Sequence, residues 1–226
     1  MVFVHAVGQL AGSRLCTWFA VSTLGRTVCQ SKLFMLAVLS ALLFSVPAVA
    51  VEIAGVKIDE TAQVANQSLK LNGAGIRYKA IFKVYTAALY MTEKKSSSAE
   101  VLALPGAKRV SLVMLRDLSS DDLGQRFMDG IRKNADMAER AKLIGGMLTF
   151  GQMFSLIPEM KKGDILTVDW IPGTGVVSQF NGKKLGETIP DANFYNALLK
   201  IWLGSSPADD KLKHSLLNDK NDDSLR

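Results

Sequence analysis

Residues 165–189 read ILTVDWIPGTGVVSQFNGKKLGETI, and this stretch decides the fold class. Three runs rich in β-forming residues, Ile165 to Ile171, Val176 to Phe180 and Lys183 to Ile189, are separated by Pro172-Gly173-Thr174-Gly175 and by Asn181-Gly182. Asn-Gly between two such runs is the strongest short-range hairpin signal, because both residues accept positive φ. The pattern predicts a three-stranded antiparallel meander.

Downstream, Asp191 caps a helix whose Phe194, Leu198, Ile201 and Trp202 form an apolar stripe, and Gly204 ends it. Ser206-Pro207 is expected to open a final helix with Asp209 in its first turn, followed by a polar tail over 218–226. Upstream, Ser119-Ser120-Asp121-Asp122 caps an amphipathic helix in which Leu123, Phe127 and Ile131 repeat every fourth residue to about Asn134. Asp136 to about Met160 reads as a second helical segment, with a break expected at Gly145-Gly146 and Gly151. Before these lie a short hairpin, Val51 to Ala54 and Val56 to Ile58 around Gly55, and a strand from Arg109 to Leu115 preceded by a helical turn at Ser98 to Leu104. Ile76 to Met91, entered through Asn72-Gly73-Ala74-Gly75, reads as one long or bent strand. Strands, helices, then strands and helices again, without strict alternation, mean α+β: an antiparallel sheet with helices on one face. Such a sheet can enclose an apolar ligand beneath the helices.

The chain has 226 residues and a formal net charge of +6. Arg14, Arg26 and Lys32, with no acid among the first fifty residues, supply half of that excess. The remainder shows no basic stripe with interleaved aromatics, so no nucleic-acid partner is expected. Leu33 to Val46 is an apolar run behind Lys32, and it ends in Pro47-Ala48-Val49-Ala50. It is too short for a comfortable bilayer span, which needs about 20 residues, and Ala48-Val49-Ala50 has the small-x-small pattern of a cleavage site. Residues 1–50 are therefore expected to be a signal peptide, overlong unless translation starts near Lys32. Cleavage after Ala50 would leave a periplasmic or secreted protein with no stable membrane span, organised as one domain over 51–217. Cys16 and Cys29 precede the cut, which removes disulfides, thiol catalysis and cysteine metal sites together. His214 stands alone in the remaining chain, so no metal site and no cofactor is expected.

Leu71-Asn72-Gly73-Ala74-Gly75-Ile76-Arg77-Tyr78-Lys79, Phe82 to Tyr90, Gly163-Asp164-Ile165, Asn181-Gly182-Lys183, and Phe194-Tyr195 through Ile201-Trp202-Leu203-Gly204 together resemble the chalcone isomerase-like family, in its bacterial exported branch. The resemblance covers nearly all of 51–217. It implies an open-faced β-sandwich, an antiparallel sheet covered on one face by a helix layer with a ligand cleft between them. It does not settle function, because relatives include flavanone-forming isomerases, fatty-acid-binding proteins and non-catalytic members. In the isomerases an Arg on a central strand positions the substrate and a Thr helps polarise its ketone. Arg77 resembles the first, while the Thr position falls on Tyr85, or on Thr86 after a one-residue slip. In the fatty-acid-binding relatives an Arg and a Tyr hold the lipid carboxylate, and Arg77 with Tyr85 matches that pair.

The ligand-binding candidates are thus Arg77, Tyr85 and Thr86. The reading is an exported, non-catalytic protein that binds a fatty acid or similar apolar carboxylate. The alternatives are an intramolecular lyase acting on a chalcone-like aromatic ketone, and a periplasmic structural protein without a ligand. Geometry constrains the clamp: on a straight strand at ~3.3 Å per residue, Cα atoms eight residues apart lie about 26 Å from each other, too far to share one carboxylate. The strand must bend or double back between them. Lys79 and Lys83 share their parity, which an apolar cleft would not welcome, and a bulge near Phe82 would resolve this.

Overall fold

The computed structural model describes residues 50–218, so the expected leader and the tail beyond Asn218 lie outside the described residues. In chain order the elements are β1 (Ala50–Ile53), β2 (Val56–Asp59), β3 (Thr61–Val64), β4 (Gln67–Lys79), β5 (Phe82–Met91), α1 (Ser98–Ala103), β6 (Lys108–Met114), β7 (Leu118–Ser119), α2 (Ser120–Asn134), α3 (Met137–Phe154), β8 (Glu159–Met160), β9 (Ile165–Ile171), β10 (Gly175–Phe180), β11 (Lys183–Ile189), α4 (Ala192–Leu203) and α5 (Asp210–Leu217). Seven strands pair antiparallel in the order β11-β10-β9-β6-β5-β4-β3. The fold is the α+β arrangement that the element order predicted, in the open-faced form that the resemblance implied.

The two sheet faces differ because alternate residues of each strand point opposite ways. Tyr85, Ala87, Leu89 and Met91 of β5 join the main core with helix residues Phe127, Phe150, Phe194 and Trp202. Ala88 and Tyr90 face the other way, into a smaller cluster with Ile58, Val64, Leu69 and Leu71. There Tyr90 Oη donates to the Asp59 carbonyl at 3.0 Å, tying the β1-β2 hairpin to the sheet. In the main core Phe127 meets Trp202 edge-on at 5.4 Å and Phe154 at 5.8 Å, a geometry that aromatic quadrupoles favour. The helices start where carboxylates and hydroxyls take up their orphan amides: Ser119 accepts from Asp122 N, Asp136 from Glu139 N, and Asp191 from Asn193 N.

Four expectations need correction. Ile76 to Met91 is not one strand: the chain reverses at Ala80-Ile81, and β4 and β5 form a hairpin in which Lys79 pairs with Phe82. Asn72-Gly73-Ala74-Gly75 is not an entry turn but the interior of β4. Its glycines answer a long-range need, because α5 crosses directly over them. A Cβ on Gly73 would sit inside the contact radius of the Ser215 carbonyl, and one on Gly75 would lie 2.7 Å from Ser215 Cβ. Asn72, bulged between them and Leu71, secures the crossing by donating to the Leu216 carbonyl at 2.7 Å. The helical segment after Asp136 runs unbroken through Gly145-Gly146 and Gly151 to Phe154. Gly146 is required there by packing, since its Cβ would lie 2.6 Å from Phe194 Cδ2. Finally, the last described helix begins at Asp210, and Asp209 is its N-cap rather than part of its first turn.

Candidate ligand cleft

The reversal at Ala80-Ile81 brings Arg77 and Tyr85 together. They are directly opposed across the β4-β5 ladder, which sets their Cα atoms roughly 4.5–5.5 Å apart on one face of the sheet. The register shifts between this pair and the next, Tyr78 with Lys83, so Val84 is an extra residue in β5. This bulge lies two residues from the expected position near Phe82. It turns both Val84 and Tyr85 toward the helix side, where they line a cleft of about 340 Å³.

Sheet, helix and loop each supply a wall. Val84, Leu118, Leu123, Phe127, Ile201 and Pro207 give the cleft apolar surface. Tyr85 is tied to α4, where the Trp202 indole Nε1 donates to Tyr85 Oη at 3.0 Å. Because that bond occupies a lone pair of the hydroxyl, the phenol proton is directed elsewhere. Burial is the largest influence on Tyr85 and pushes its pKa up to about 12, against smaller lowering effects of the Trp202 bond and the Arg77 charge. Tyr85 is therefore a neutral donor across the physiological range.

Arg77 is held by the N-cap of α5. Its Nη1 donates to Asp209 Oδ2 at 3.4 Å, and the same carboxylate accepts from Tyr78 N at 3.0 Å and Leu212 N at 3.2 Å. One long contact uses only part of a guanidinium with five N–H donors. The remainder of the fork is available to a planar acceptor at the cleft, where it would form short, charge-assisted bonds.

Of the three candidates from the sequence, Arg77 and Tyr85 meet and Thr86 does not join them. Thr86 is buried on the opposite face of β5 with the parity of Ala88 and Tyr90, and the cleft walls do not include it. Residues that sequence reasoning left aside do reach the cleft. Lys79 lines it despite its charge, Arg116 enters from the loop after β6, and Arg126 and Lys133 come from α2, with Asp122 and Asp129 of the same helix. The cationic character of this rim is a tertiary property, assembled from three separated segments, and no local motif signals it. Trp202, read as core, is core and also the partner of Tyr85. Next to Arg116, Asp117 accepts from Lys162 N at 2.8 Å and from Lys161 Nζ at 3.4 Å. Among the described residues no cluster of His, Cys, Asp or Glu has the makings of a metal site, and no helix is long and apolar enough to cross a membrane.

A family model described as chalcone isomerase-like matches residues 50–218. Among solved structures, the crystal structure of a fatty-acid-binding protein from Arabidopsis thaliana superimposes with a TM-score of 0.58 at 12% sequence identity, covering 75% of this chain and 96% of that one. No curated protein matches the chain by sequence.

Proposed function

This chain belongs to the chalcone isomerase-like family, and on that premise we propose that it is a non-catalytic binding protein that takes a fatty acid or similar apolar carboxylate into the cleft between sheet and helices. The observation that carries the proposal is the cross-strand pairing of Arg77 with Tyr85 in the wall of the cleft. A guanidinium fork and a neutral phenol donor converge there on apolar walls, so one carboxylate can be stripped of water and repaid with charge-assisted bonds. The similarity of the fold to a plant fatty-acid-binding protein supports the same reading. A volume of about 340 Å³ lies near the bottom of the ~300–1,000 Å³ range of ligand pockets. The cleft thus suits a short or medium acyl chain, with a longer one emerging at the mouth. The ring-closing alternative has less support, since Thr86 faces away from the cleft and Tyr85 occupies the position a ketone-polarising Thr would need.

Calorimetric titration with a fatty acid and its methyl ester tests the clamp. Arg77→Ala should cost the acid about 2–3 kcal/mol and Tyr85→Phe about 1 kcal/mol, with the ester nearly indifferent to both. Asp209→Asn keeps a good helix cap and removes the carboxylate that competes for Arg77, so the acid should bind several-fold more tightly. Acid and ester weakened alike, or no binding of either, would leave the structural-protein reading.

The proposal includes export. Cleavage after Ala50 would remove only the first residue of β1 and leave Val51, Glu52 and Ile53 paired with β2. Mass spectrometry of the periplasmic or secreted protein should find Val51 at the N-terminus, and residues 31–50 still attached would overturn this part.

A further inference from the structure

The β4-β5 turn lies at the same end of the sheet as the β10-β11 turn and the start of β9, because the strands alternate in direction. That end has an unusual surface. Ile81 is 85% exposed and Phe82 57% exposed, with Tyr78 beside them and Ile165 at the start of β9 also open to solvent. Isolated exposed apolar residues need no explanation, but three in one five-residue turn form a patch. The turn also departs from ordinary hairpin chemistry. Ala80 holds φ 52, close to the 49 of Asn181 in the β10-β11 turn. Asn tolerates that conformation, whereas Ala is strained in it.

Cations surround this tip. Lys79 and Lys83 flank it, and the Arg116 guanidinium stacks 5.5 Å over the Phe82 ring while also lining the cleft mouth. Lys162, Lys183 and Lys184 continue the charge along the same end of the sheet. Three acids of this end are already engaged: Glu159 and Asp117 pair with Lys161, and Asp164 is taken by Lys161 N and the Asn181 amide, while Asp122 stands at the cleft with Arg116. Among the described residues, Lys79, Lys83, Arg116, Lys183 and Lys184 make no ion pair.

We propose that this tip is a docking surface for an anionic lipid bilayer, with Ile81 and Phe82 entering the headgroup region and the surrounding Lys and Arg residues meeting lipid phosphates. Apolar residues that reach the acyl boundary and basic residues that meet a negative surface potential are the two contributions that hold peripheral proteins on membranes. Because Arg116 belongs to both tip and cleft, docking would turn the cleft mouth toward the lipid from which an acyl chain is drawn. The docking itself does not depend on the ligand proposed above.

Vesicle co-sedimentation of the purified protein, with the same chain length in every arm, tests the surface. Phosphatidylcholine vesicles with phosphatidylglycerol should bind the protein, those without it should bind weakly, and added salt should weaken the difference. The double variant Ile81→Ser/Phe82→Ser should lose about tenfold in apparent affinity for anionic vesicles. Ile144→Ser/Leu148→Ser, which removes two exposed apolar residues on α3, should leave it unchanged. Retained binding by the tip variant, loss in the α3 variant, or a tip that instead mediates self-association by light scattering would each overturn the proposal. Calorimetry without vesicles separates it from the clamp: the tip variant should keep wild-type affinity for the free acid, and Arg77→Ala should keep vesicle binding.

Discussion

Two hairpins of this sheet turn at the same end, and they are built on different rules. In the β10-β11 hairpin the turn residues Asn181 and Gly182 both have positive φ, the conformation their side chains accept at little cost. Asn181 also accepts from Ile165 N at 2.8 Å and donates to Asp164 at 2.9 Å, so the turn is anchored to the neighbouring strand. In the β4-β5 hairpin an Ala takes the left-handed position, an Ile follows it into solvent, a bulge at Val84 breaks the ladder, and glycines occupy the strand interior. The first hairpin satisfies local preferences at its turn, and its own ladder irregularity, between Val176 and Ser178 opposite Gly186, lies away from that turn. The second departs from them at each point where Arg77, Tyr85 or the exposed tip is placed, the distribution expected when structure is bent to a task.

The contrast can be broken by substitution. Gly73→Ala should be the most damaging, at about 3 kcal/mol, because its Cβ would meet the backbone of α5 and could not be relieved by rotating a side chain. Gly182→Ala meets nothing within 4 Å and bears only the strain of φ 76, so it should be milder in urea unfolding. Equal midpoints for the two variants would erase the distinction drawn here.

Alkaline unfolding gives the next largest effect. Tyr85 titrates near its ordinary value of 10 in the unfolded chain and at about 12 when folded, since burial disfavours the phenolate. A folded-state pKa raised in this way contributes stability that is complete below pH 10 and is lost as pH rises toward 12, by about 2–3 kcal/mol for one such group. Tyr90 is raised similarly, so Tyr85→Phe should remove part of the alkaline loss and leave the rest. A pH profile unchanged by Tyr85→Phe would show that the phenol is not buried as described.

The turns themselves should respond in opposite directions. Asn181→Ala discards two side-chain hydrogen bonds and the left-handed tolerance, and should destabilise by about 1–2 kcal/mol. Ala80→Gly relieves strain at the other turn and should stabilise by about 1 kcal/mol. Loss of stability in Ala80→Gly would mean that the β4-β5 turn is not strained.

The same contrast explains what the sequence made legible. The meander over 165–189 and the capped helix at 120–134 follow from local chemistry, and their expected limits hold to within a residue or so. Ile76 to Met91 was read as continuous because Ala80-Ile81 carries no turn residue. Only the distance argument, that Arg77 and Tyr85 eight residues apart must fold back to share a ligand, pointed to the reversal. Gly73, Gly75 and Gly146 misled in the opposite sense: they look like breaks, yet each makes room for a distant residue, Ser215 or Phe194. The resemblance offers Arg77 and Tyr85 as a pair, and the ladder places them opposite each other. Thr86 could be assigned to the far face only once the ladder register was known, and the rim of Lys79, Arg116 and Arg126 only once three segments were seen to meet.

The Arg77–Tyr85 pair also sets an order of events during synthesis. Its hydrogen bonds join residues far apart in the chain: Tyr85 to Trp202 across 117 positions, and Arg77 to Asp209 across 132. The β4-β5 ladder can pair as soon as Met91 has left the ribosome, but the donor that fixes the phenol and the carboxylate that holds the guanidinium arrive more than a hundred residues later. Until then the sheet presents an unfinished pocket, with Tyr85 uncovered and Arg77 unrestrained. The cleft is therefore complete only when α4 and α5 have closed over the hairpin.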